Sequence, residues 1–227
     1  MRIPLTKYGW PQVVIFPVIV PAVMILLFFG AHSTTPKWLI WTVEAILFVV
    51  LVWILSFFRD PERVVPEEKG DLLAPADGKI TDIETVDEND FIGGKTLRVG
   101  IFLSIFDVHI NRVPCKVRIE KVIYKEGSFT NAMKPESGRV NESNGLWLKK
   151  IEPPFDRLIV RQISGAIARR IVCRASEGEE LVGGQRFGMI KFGSRTELYV
   201  PMRDSVKCLV KTGDKVKAGL TPIIRYI

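Results

Sequence analysis

Two uninterrupted apolar runs near the N-terminus constrain this chain more than any other feature. The first spans Val13 to Ala31 without a charged residue, and the second spans Trp38 to Phe58 with only Glu44. A helix needs about 20 apolar residues to cross the hydrocarbon core of a bilayer. Each run is long enough, and only a short polar turn at 32–37 separates them. We therefore expect residues 1–58 to form a transmembrane helical hairpin.

Basic residues predict the orientation of this hairpin. Arg2 and Lys7 precede the first run, and the turn between the runs offers only Lys37. The basic residues after the second run are Arg59, Arg63 and Lys69. Because Lys and Arg concentrate in cytoplasmic loops, we expect the region after the hairpin to lie on the cytoplasmic side of the cell membrane. A cleaved signal peptide over 1–33 is the alternative, but its apolar core would exceed the usual roughly 7–15 residues.

Glu44 lies two turns inside the second apolar run. Acidic residues at membrane depth are frequently functional. A side chain this close to a helix end can instead extend to the membrane interface, and we favour that interpretation for Glu44.

The rest of the chain has the composition of a soluble domain exposed to a reducing compartment. Of 32 basic and 25 acidic residues, only Arg2, Lys7, Lys37 and Glu44 lie within 1–58. The three cysteines form no paired spacing and indicate reduced thiols: Cys115, Cys173 and Cys208. With two histidines in the chain, a histidine-rich metal centre is excluded. The net charge of +7 suits an anionic membrane surface, and without a compact basic run we expect no nucleic-acid partner.

Short alternating segments after Phe58 predict an all-β domain over 59–227, a barrel or sandwich of many short strands. The predicted strands are Thr96–Ile105, Val117–Lys125, Leu158–Ile163, Arg170–Arg174, Glu197–Val200 and Val206–Lys211. Glycine-containing turn signals separate these segments. Residues 126–148 are polar and irregular, and we expect at most a short helix near Asn131.

An internal echo refines the fold. Residues 178–184 and 213–219 share the pattern Gly-acid-x-aliphatic-x-small-Gly at a spacing of 35 residues. Two glycines allow positive φ while the aliphatic residue between them anchors the turn. The pattern resembles the strand-turn-strand signature of barrel-sandwich hybrids, the fold of biotinyl and lipoyl carriers. Two similar hairpins that arose by chance remain the alternative.

Three side chains could act together in chemistry. His109 is the only histidine outside the hairpin and is suited to general-base work near neutral pH. Asp77, in an Asp-Gly turn, and Ser194, in a Gly-Ser pair, are weak signals by themselves. Together the three supply the acid, base and nucleophile of a serine triad.

Five motifs, three of which contain these residues, resemble a known family. They are FFRDPxR at 57–63, APADGK at 74–79, DVHxNRxP at 107–114, QIxG at 162–165 with ARRIV at 168–172, and RFGMIxFGSR at 186–195. In this order and spacing they resemble the short form of the phosphatidylserine decarboxylase proenzymes, which depend on a pyruvoyl group. The resemblance runs from about Phe57 to the C-terminus, and the hairpin is also similar to that form.

The resemblance implies that the chain cuts itself between Gly193 and Ser194. Ser194 would attack the Gly193 carbonyl, His109 would take the hydroxyl proton, and Asp77 would orient His109. The products would be a β chain, 1–193, and an α chain, 194–227, whose first residue becomes the pyruvoyl group. This group would accept electrons while a serine phospholipid loses CO₂ and becomes phosphatidylethanolamine. Neither pyridoxal phosphate nor a metal is implied, and the oligomeric state stays open.

Two positions depart from the pattern of the larger members of this family. Arg112 stands where they have a second histidine, and Arg195 follows the serine where they have Ser or Thr. Arg112 could bind the substrate phosphate or carboxylate, or pair with Asp107 or Glu120. Because Arg112 replaces the second histidine, we expect His109 alone to act as the base.

Other functions stay open at this point. One is a membrane-anchored, lipoyl-like adaptor without enzymatic activity, in which Lys79 after the Asp-Gly turn would be modified. A zinc peptidase lacks ligands. Within the decarboxylase hypothesis, an ether-linked archaeal serine lipid is an alternative substrate, because the chemistry touches only the head group.

Overall fold

The computed structural model describes residues 4–30, 35–66, 70–134, 136–166, 170–191 and 193–227. Several residues used above lie outside the described residues: Arg2, His32, Lys69, Ala168, Arg169 and Phe192. The chain divides into two compact units, Met1–Glu62 and Arg63–Ile227. The sequence places the boundary at Phe58, four residues earlier.

The first unit contains two long helices at the predicted apolar runs. They are α1, Gln12–Gly30, and α2, Lys37–Phe57, and a short 3-10 helix at Lys7–Gly9 precedes them. By length and composition both helices are able to cross a membrane. Pro17 and Pro21 lie within α1, as membrane helices tolerate. The rings of Phe28 and Trp41 pack edge to face across the pair with centroids 6.0 Å apart.

Glu44 faces the groove between α1 and α2. Its neighbours along this groove include Met24, Phe28, Trp41 and Phe48. The residue is 9% exposed, and its Oε1 atom has no hydrogen-bond partner among the described residues. The carboxylate therefore lies between the helices rather than extended toward the helix end.

The second unit is an all-β domain, as the sequence predicts. Its strands are β1 Asp71–Leu73, β2 Gly78–Glu88, β3 Gly94–Leu103, β4 Ile110–Arg112, β5 Val117–Lys125, β6 Ser143–Lys150, β7 Arg157–Ser164, β8 Arg170–Cys173, β9 Glu180–Leu181, β10 Arg186–Lys191, β11 Ser194–Pro201, β12 Val206–Cys208, β13 Lys215–Val216 and β14 Pro222–Tyr226. One helical turn, α3, spans Ser137–Val140.

An eight-stranded antiparallel sheet carries the core. Its order is β13-β2-β3-β11-β7-β6-β5-β9, and two three-stranded sheets, β1-β14-β12 and β4-β10-β8, complete the domain. The core side chains come from several strands of these sheets and include the fully buried Ile101, Val160, Leu198 and Val200. Because β11 occupies the fourth place in the large sheet, its first residue lies well away from both sheet edges.

Predicted and observed elements differ where polar residues lie in strands. All six predicted strands are present, and β5 has the predicted bounds. The prediction missed the long β2 because its exposed half is rich in Asp, Glu and Thr. The expected helix near Asn131 is wrong in position, since the described helical turn begins at Ser137. Residues 143–148 belong to β6, whose Ser143 and Asn144 are buried despite their polarity.

The internal echo is confirmed as two equivalent turns. Each copy contains a two-residue strand, β9 or β13, between glycines with positive φ. The aliphatic anchors Leu181 and Val216 are each 3% exposed within the core. A Cβ added to Gly219 would lie 3.2 Å from the Cα of Gly184. The two copies therefore meet, which brings the opposite edges of the eight-stranded sheet together.

We expect alanine at Gly184 to destabilise the domain more than alanine at Gly178. Both positions have positive φ, +74° and +83°, and the left-handed conformation costs a non-glycine residue roughly 1–2 kcal/mol. Only at Gly184 would the added Cβ also lie 2.4 Å from Val65 Cγ2, whereas at Gly178 it would meet nothing within 4 Å. Thermal unfolding of the detergent-solubilised chain measures both variants, at about 2–4 °C per kcal/mol. Equal losses would contradict the packing of Val65 against this turn.

Candidate active site

Ser194 is the first residue of the central strand β11. It lies opposite Leu103 of β3 and Ser164 of β7 in the two strand pairings. The residue is completely buried, and its Oγ has no hydrogen-bond partner among the described residues. An unsatisfied buried polar group costs about 1–3 kcal/mol, so a hydroxyl in this state is a candidate functional group.

Gly193 directly precedes this hydroxyl in the chain. Its φ is +64°, a conformation that favours glycine. A Cβ built at this position meets nothing within 4 Å. The main chain immediately before Ser194 is therefore turned out of the strand direction, with open space on one side.

The backbone fixes one ring nitrogen of His109. The residue lies just before β4 and is completely buried. Its Nδ1 lies 3.0 Å from the carbonyl oxygen of Asp107. A carbonyl only accepts hydrogen bonds, so Nδ1 is assigned a proton; in the neutral ring Nε2 then has the lone pair. The turn that positions Asp107 is closed by its Oδ2, which accepts from the Ser104 N–H at 2.8 Å.

A buried amide network ties the strand after His109 to β11. Asn111 Nδ2 donates to Thr196 Oγ1 at 3.0 Å, two residues after His109 and two after Ser194. Gln162 Nε2 donates to Asn111 Oδ1 at 2.9 Å, and Asn144 Nδ2 extends the chain to Gln162 Oε1 at 3.2 Å. The sequence analysis gave these residues no role. Asn111 and Gln162 are specified positions of the motifs at 107–114 and 162–165, and this is the signal that could have marked them.

The structure pairs Asp77 with an arginine. Its Oδ1 and Oδ2 accept from Nη1 and Nη2 of Arg63 at 2.6 and 2.8 Å. Oδ1 also accepts from the backbone N–H of Ala218 at 2.8 Å. Because the Arg63 charge compensates the carboxylate, Asp77 has less field to offer an imidazolium than a free carboxylate would. The expected orientation of His109 by Asp77 stays a prediction.

Arg112 lies at the junction of the two echo turns. It is 4% exposed, and its Nη1 donates to the carbonyl oxygen of Gly184 at 2.9 Å. A Cβ on Gly219 would lie 3.0 Å from Arg112 Cδ. The sequence predicts a substrate anion or an acidic side chain as a partner of Arg112, and that role stays a prediction; the contact described here is to the backbone. It indicates that Arg112 supports the closure of the sheet.

Arg195 anchors β11 from the face opposite to Ser194. It is completely buried. Its Nη1 donates to Thr81 Oγ1 and its Nη2 to Asp82 Oδ1, both at 2.7 Å. Its Nε donates to Glu197 Oε1 at 2.9 Å. Thr81 and Asp82 belong to β2, which precedes the Gly193–Ser194 bond in the chain, whereas Arg195 follows that bond. The guanidinium therefore links the chain segment before the bond to the segment after it.

This cluster shifts the pKa of Asp82. Burial by itself raises the pKa, but the hydrogen bonds from Arg195 and Thr81 and the charges of Arg195 and Arg98 lower it below its ordinary value. Near the same junction, burial, followed by the charge of Arg170, lowers the pKa of Lys191. Buried charged side chains therefore lie on both sides of the Gly193–Ser194 bond: Lys191 before it and Arg195 after it.

The comparisons with known proteins agree with this arrangement. The family model described as phosphatidylserine decarboxylase matches residues 50–224. The chain is 42% identical over 180 residues to the phosphatidylserine decarboxylase proenzyme of Carboxydothermus hydrogenoformans, covering 79% of this chain and 83% of the relative. It is 38% identical to that of Nitrosomonas eutropha, over 98% and 95% of the two chains. With that of Chlorobium limicola the identity is 39%, over 98% and 100%.

A match of this extent defines an enzyme that removes a carboxyl group by cleaving a carbon–carbon bond, a carboxy-lyase. The chain belongs to the phosphatidylserine decarboxylase family. The family expected from the motifs is thereby confirmed, and the alternative of a lipoyl-like adaptor without enzymatic activity is wrong.

We expect Arg195→Met to destabilise the protein strongly at neutral pH. The variant leaves Asp82 and Glu197 buried without their main counter-charge, at a cost of about 3–5 kcal/mol, or roughly 10 °C in unfolding temperature. Arg118→Met, at an exposed position of β5, is the control with little effect.

The pH dependence of this loss tests its electrostatic origin. In the wild type, Asp82 has a lowered pKa, so it stabilises the fold above its unfolded pKa and loses this contribution as the pH falls through its folded pKa. Without Arg195, only Thr81 and Arg98 still counteract burial, so the pKa of Asp82 rises and its ionised form stabilises the fold less. The difference in unfolding temperature between variant and wild type should therefore shrink from pH 7 to about pH 4. A difference that is constant with pH would indicate lost packing alone.

Proposed function

We propose that this chain is a self-processing phosphatidylserine decarboxylase that acts at the membrane surface. The observation that carries the proposal is the buried, unpartnered hydroxyl of Ser194 next to a glycine with φ of +64°, within a chain of the phosphatidylserine decarboxylase family. A hydroxyl in this state is available to attack the carbonyl that precedes it.

Self-cleavage at the Gly193–Ser194 bond needs no reagent from outside the chain until its last step, which consumes water. The Ser194 Oγ–H attacks the Gly193 carbonyl carbon; the new C–O bond replaces the C–N bond, and the proton ends on the Ser194 amine. Removal of the Ser194 Cα proton then breaks the Cβ–Oγ bond, and the Gly193 carboxylate leaves. Tautomerisation and addition of water release ammonia and convert the remaining residue into a pyruvoyl group. The products are the chains 1–193 and 194–227.

His109 is the proposed base for the attack. With its Nδ1 proton directed to the Asp107 carbonyl at 3.0 Å, Nε2 has the lone pair that proton removal requires. The backbone carbonyl of Asp107 would contribute to the orientation of His109, and the direct orienting role expected of Asp77 stays a prediction. We propose that Asp77, bound to Arg63 and Ala218, acts by positioning the segment that begins β2.

The residues around Ser194 fit a pyruvoyl group. When present, this group supplies a carbonyl that condenses with the amine of the substrate serine and accepts electrons as CO₂ leaves. At the start of β11 it would lie in a completely buried position between β3 and β7. Arg195 would hold the new chain terminus through Thr81 and Asp82 of the other chain. His109 is the proposed group for proton transfer in this second stage as well.

The hairpin explains how the enzyme meets a lipid substrate. Helices α1 and α2 would anchor the chain with the β domain on the cytoplasmic side, and the net charge of +7 favours approach to anionic lipid head groups. Phosphatidylserine would lose CO₂ and become phosphatidylethanolamine. An ether-linked serine lipid has the same head group, and the same chemistry applies to it.

Ser194→Ala should abolish cleavage, and Ser164→Ala should not. Both serines are completely buried and lie opposite each other in the β7–β11 pairing, so the pair separates nucleophilic function from burial. Electrophoresis and intact mass of the purified chains check the result. Wild-type protein that decarboxylates phosphatidylserine as one uncut chain would falsify the pyruvoyl mechanism.

His109→Ala should slow self-cleavage by about 10²–10⁴-fold, the usual contribution of a general base. His32→Ala, which removes the other histidine of the chain, is the control and should cleave at the wild-type rate. The time course of chain separation after cell-free synthesis gives both rates. Normal maturation of His109→Ala would assign the proton transfer to another group.

A further inference from the structure

Gly165 lies opposite the peptide bond that the proposed function cleaves. The antiparallel pairing of β7 and β11 ends with Ser164 opposite Ser194. One step further in this register, Gly165 is opposite Gly193. A Cβ added to Gly165 would lie 2.2 Å from the Gly193 carbonyl oxygen and 3.1 Å from its carbonyl carbon. A separation of about 3.3 Å or more is normal for such C···O contacts.

The two glycines are required for different reasons. Gly193 has a positive φ but open space where a Cβ would lie. Gly165 has an ordinary φ, but a Cβ there would have no space. The left-handed turn at Gly193 directs its carbonyl oxygen to the place that any side chain at 165 would occupy. The colliding atoms are main chain, so no rotamer change relieves the contact.

Gly165 also has little freedom to retreat. The carbonyl oxygen of the preceding Ser164 accepts from Asn141 Nδ2 at 2.7 Å, and the Ser164 N–H donates to the Glu142 carbonyl at 2.9 Å. On another side, the Cβ of Ala132 lies 3.1 Å from the added Cβ. A side chain at 165 would therefore displace the Gly193 carbonyl rather than its own strand.

We propose that Gly165 is a positioning residue for self-cleavage, because its missing side chain leaves room for the Gly193 carbonyl in the orientation that Ser194 attacks. This inference rests on the proposed self-processing. Displacement of reacting atoms by about 1 Å can reduce a rate by about 10²-fold. After cleavage, Gly193 is the free end of the β chain, and its carbonyl takes no part in decarboxylation. Gly165 thus affects maturation and not turnover.

The test compares Gly165→Ala with Gly145→Ala in the full-length protein made by cell-free synthesis. Gly145 lies in β6 of the same sheet, where an added Cβ comes no closer than 3.8 Å to another residue. Gly165→Ala should cleave about 10²-fold more slowly than wild type, and Gly145→Ala at the wild-type rate. The fraction that does mature should decarboxylate phosphatidylserine at the wild-type kcat per pyruvoyl group. Wild-type cleavage by Gly165→Ala, or an equal fall in kcat, would overturn the inference.

Hydroxylamine identifies the affected step. It cleaves an ester much faster than an amide, so it would cut the chain at 193–194 only if Ser194 had already attacked. Gly165→Ala should stay uncut in hydroxylamine, because the attack itself is impaired. Rapid cutting would place the defect in the later elimination and contradict the proposal.

Two further variants separate positioning from misfolding. Ser194→Ala and Ser194→Ala/Gly165→Ala should both unfold cooperatively in detergent, since neither depends on cleavage. Ala132→Gly/Gly165→Ala removes the contact with Ala132 but keeps the collision with Gly193, and it should still cleave slowly. Recovery of the wild-type rate in this double variant would show that the segment around Ala132, and not the carbonyl, is what Gly165 accommodates. Wild type that never cleaves would instead refute the proposed function.

Discussion

The pairing of β11 between β3 and β7 is the constraint on which the rest of the structure depends. It buries Ser194 in the interior of an eight-stranded sheet and fixes its neighbours by main-chain hydrogen bonds. A strand held on both sides cannot shift its register without turning every side chain to the other face. The hydroxyl, the preceding glycine and the opposing glycine are therefore located by the ladder rather than by a mobile loop. In the proposed self-cleavage, this placement would hold the reacting groups in a fixed position.

Both faces of β11 carry polar side chains that the fold satisfies in different ways. On one face, Thr196 joins an amide network through Asn111 and Gln162. On the other, Arg195 is surrounded by Thr81, Asp82 and Glu197. Buried charges are stable only when paired, so each network demands a particular alignment of β2, β4 and β7 with β11. In the proposed mature enzyme, the same contacts would hold the new terminus at 194 after its covalent link to 193 is lost.

The two echo turns bring the opposite edges of the eight-stranded sheet together. Gly184 and Gly219 meet at the two edges, and Arg112 donates to the Gly184 carbonyl. The arginine that the motif comparison offered as a substrate ligand thus has a supporting contact within the fold. Asp77 is similar, because its two carboxylate oxygens bind Arg63. These arginines neutralise a carboxylate or donate to a carbonyl, and His109 remains the proposed base.

The sequence by itself determined the elements whose signals are local. Apolar run length predicts both helices of the hairpin, alternation predicts six strands, and the repeated glycines predict the echo turns, because each depends on residues close together in the chain. Ser194 and His109 are also recognisable from motifs. Only the tertiary structure decided which groups meet: Asp77 with Arg63, His109 with the Asp107 carbonyl, and Arg195 with Asp82 across more than a hundred residues. Those contacts come from strand order and register, which are set by the packing of distant segments and leave no periodic trace in a single sequence.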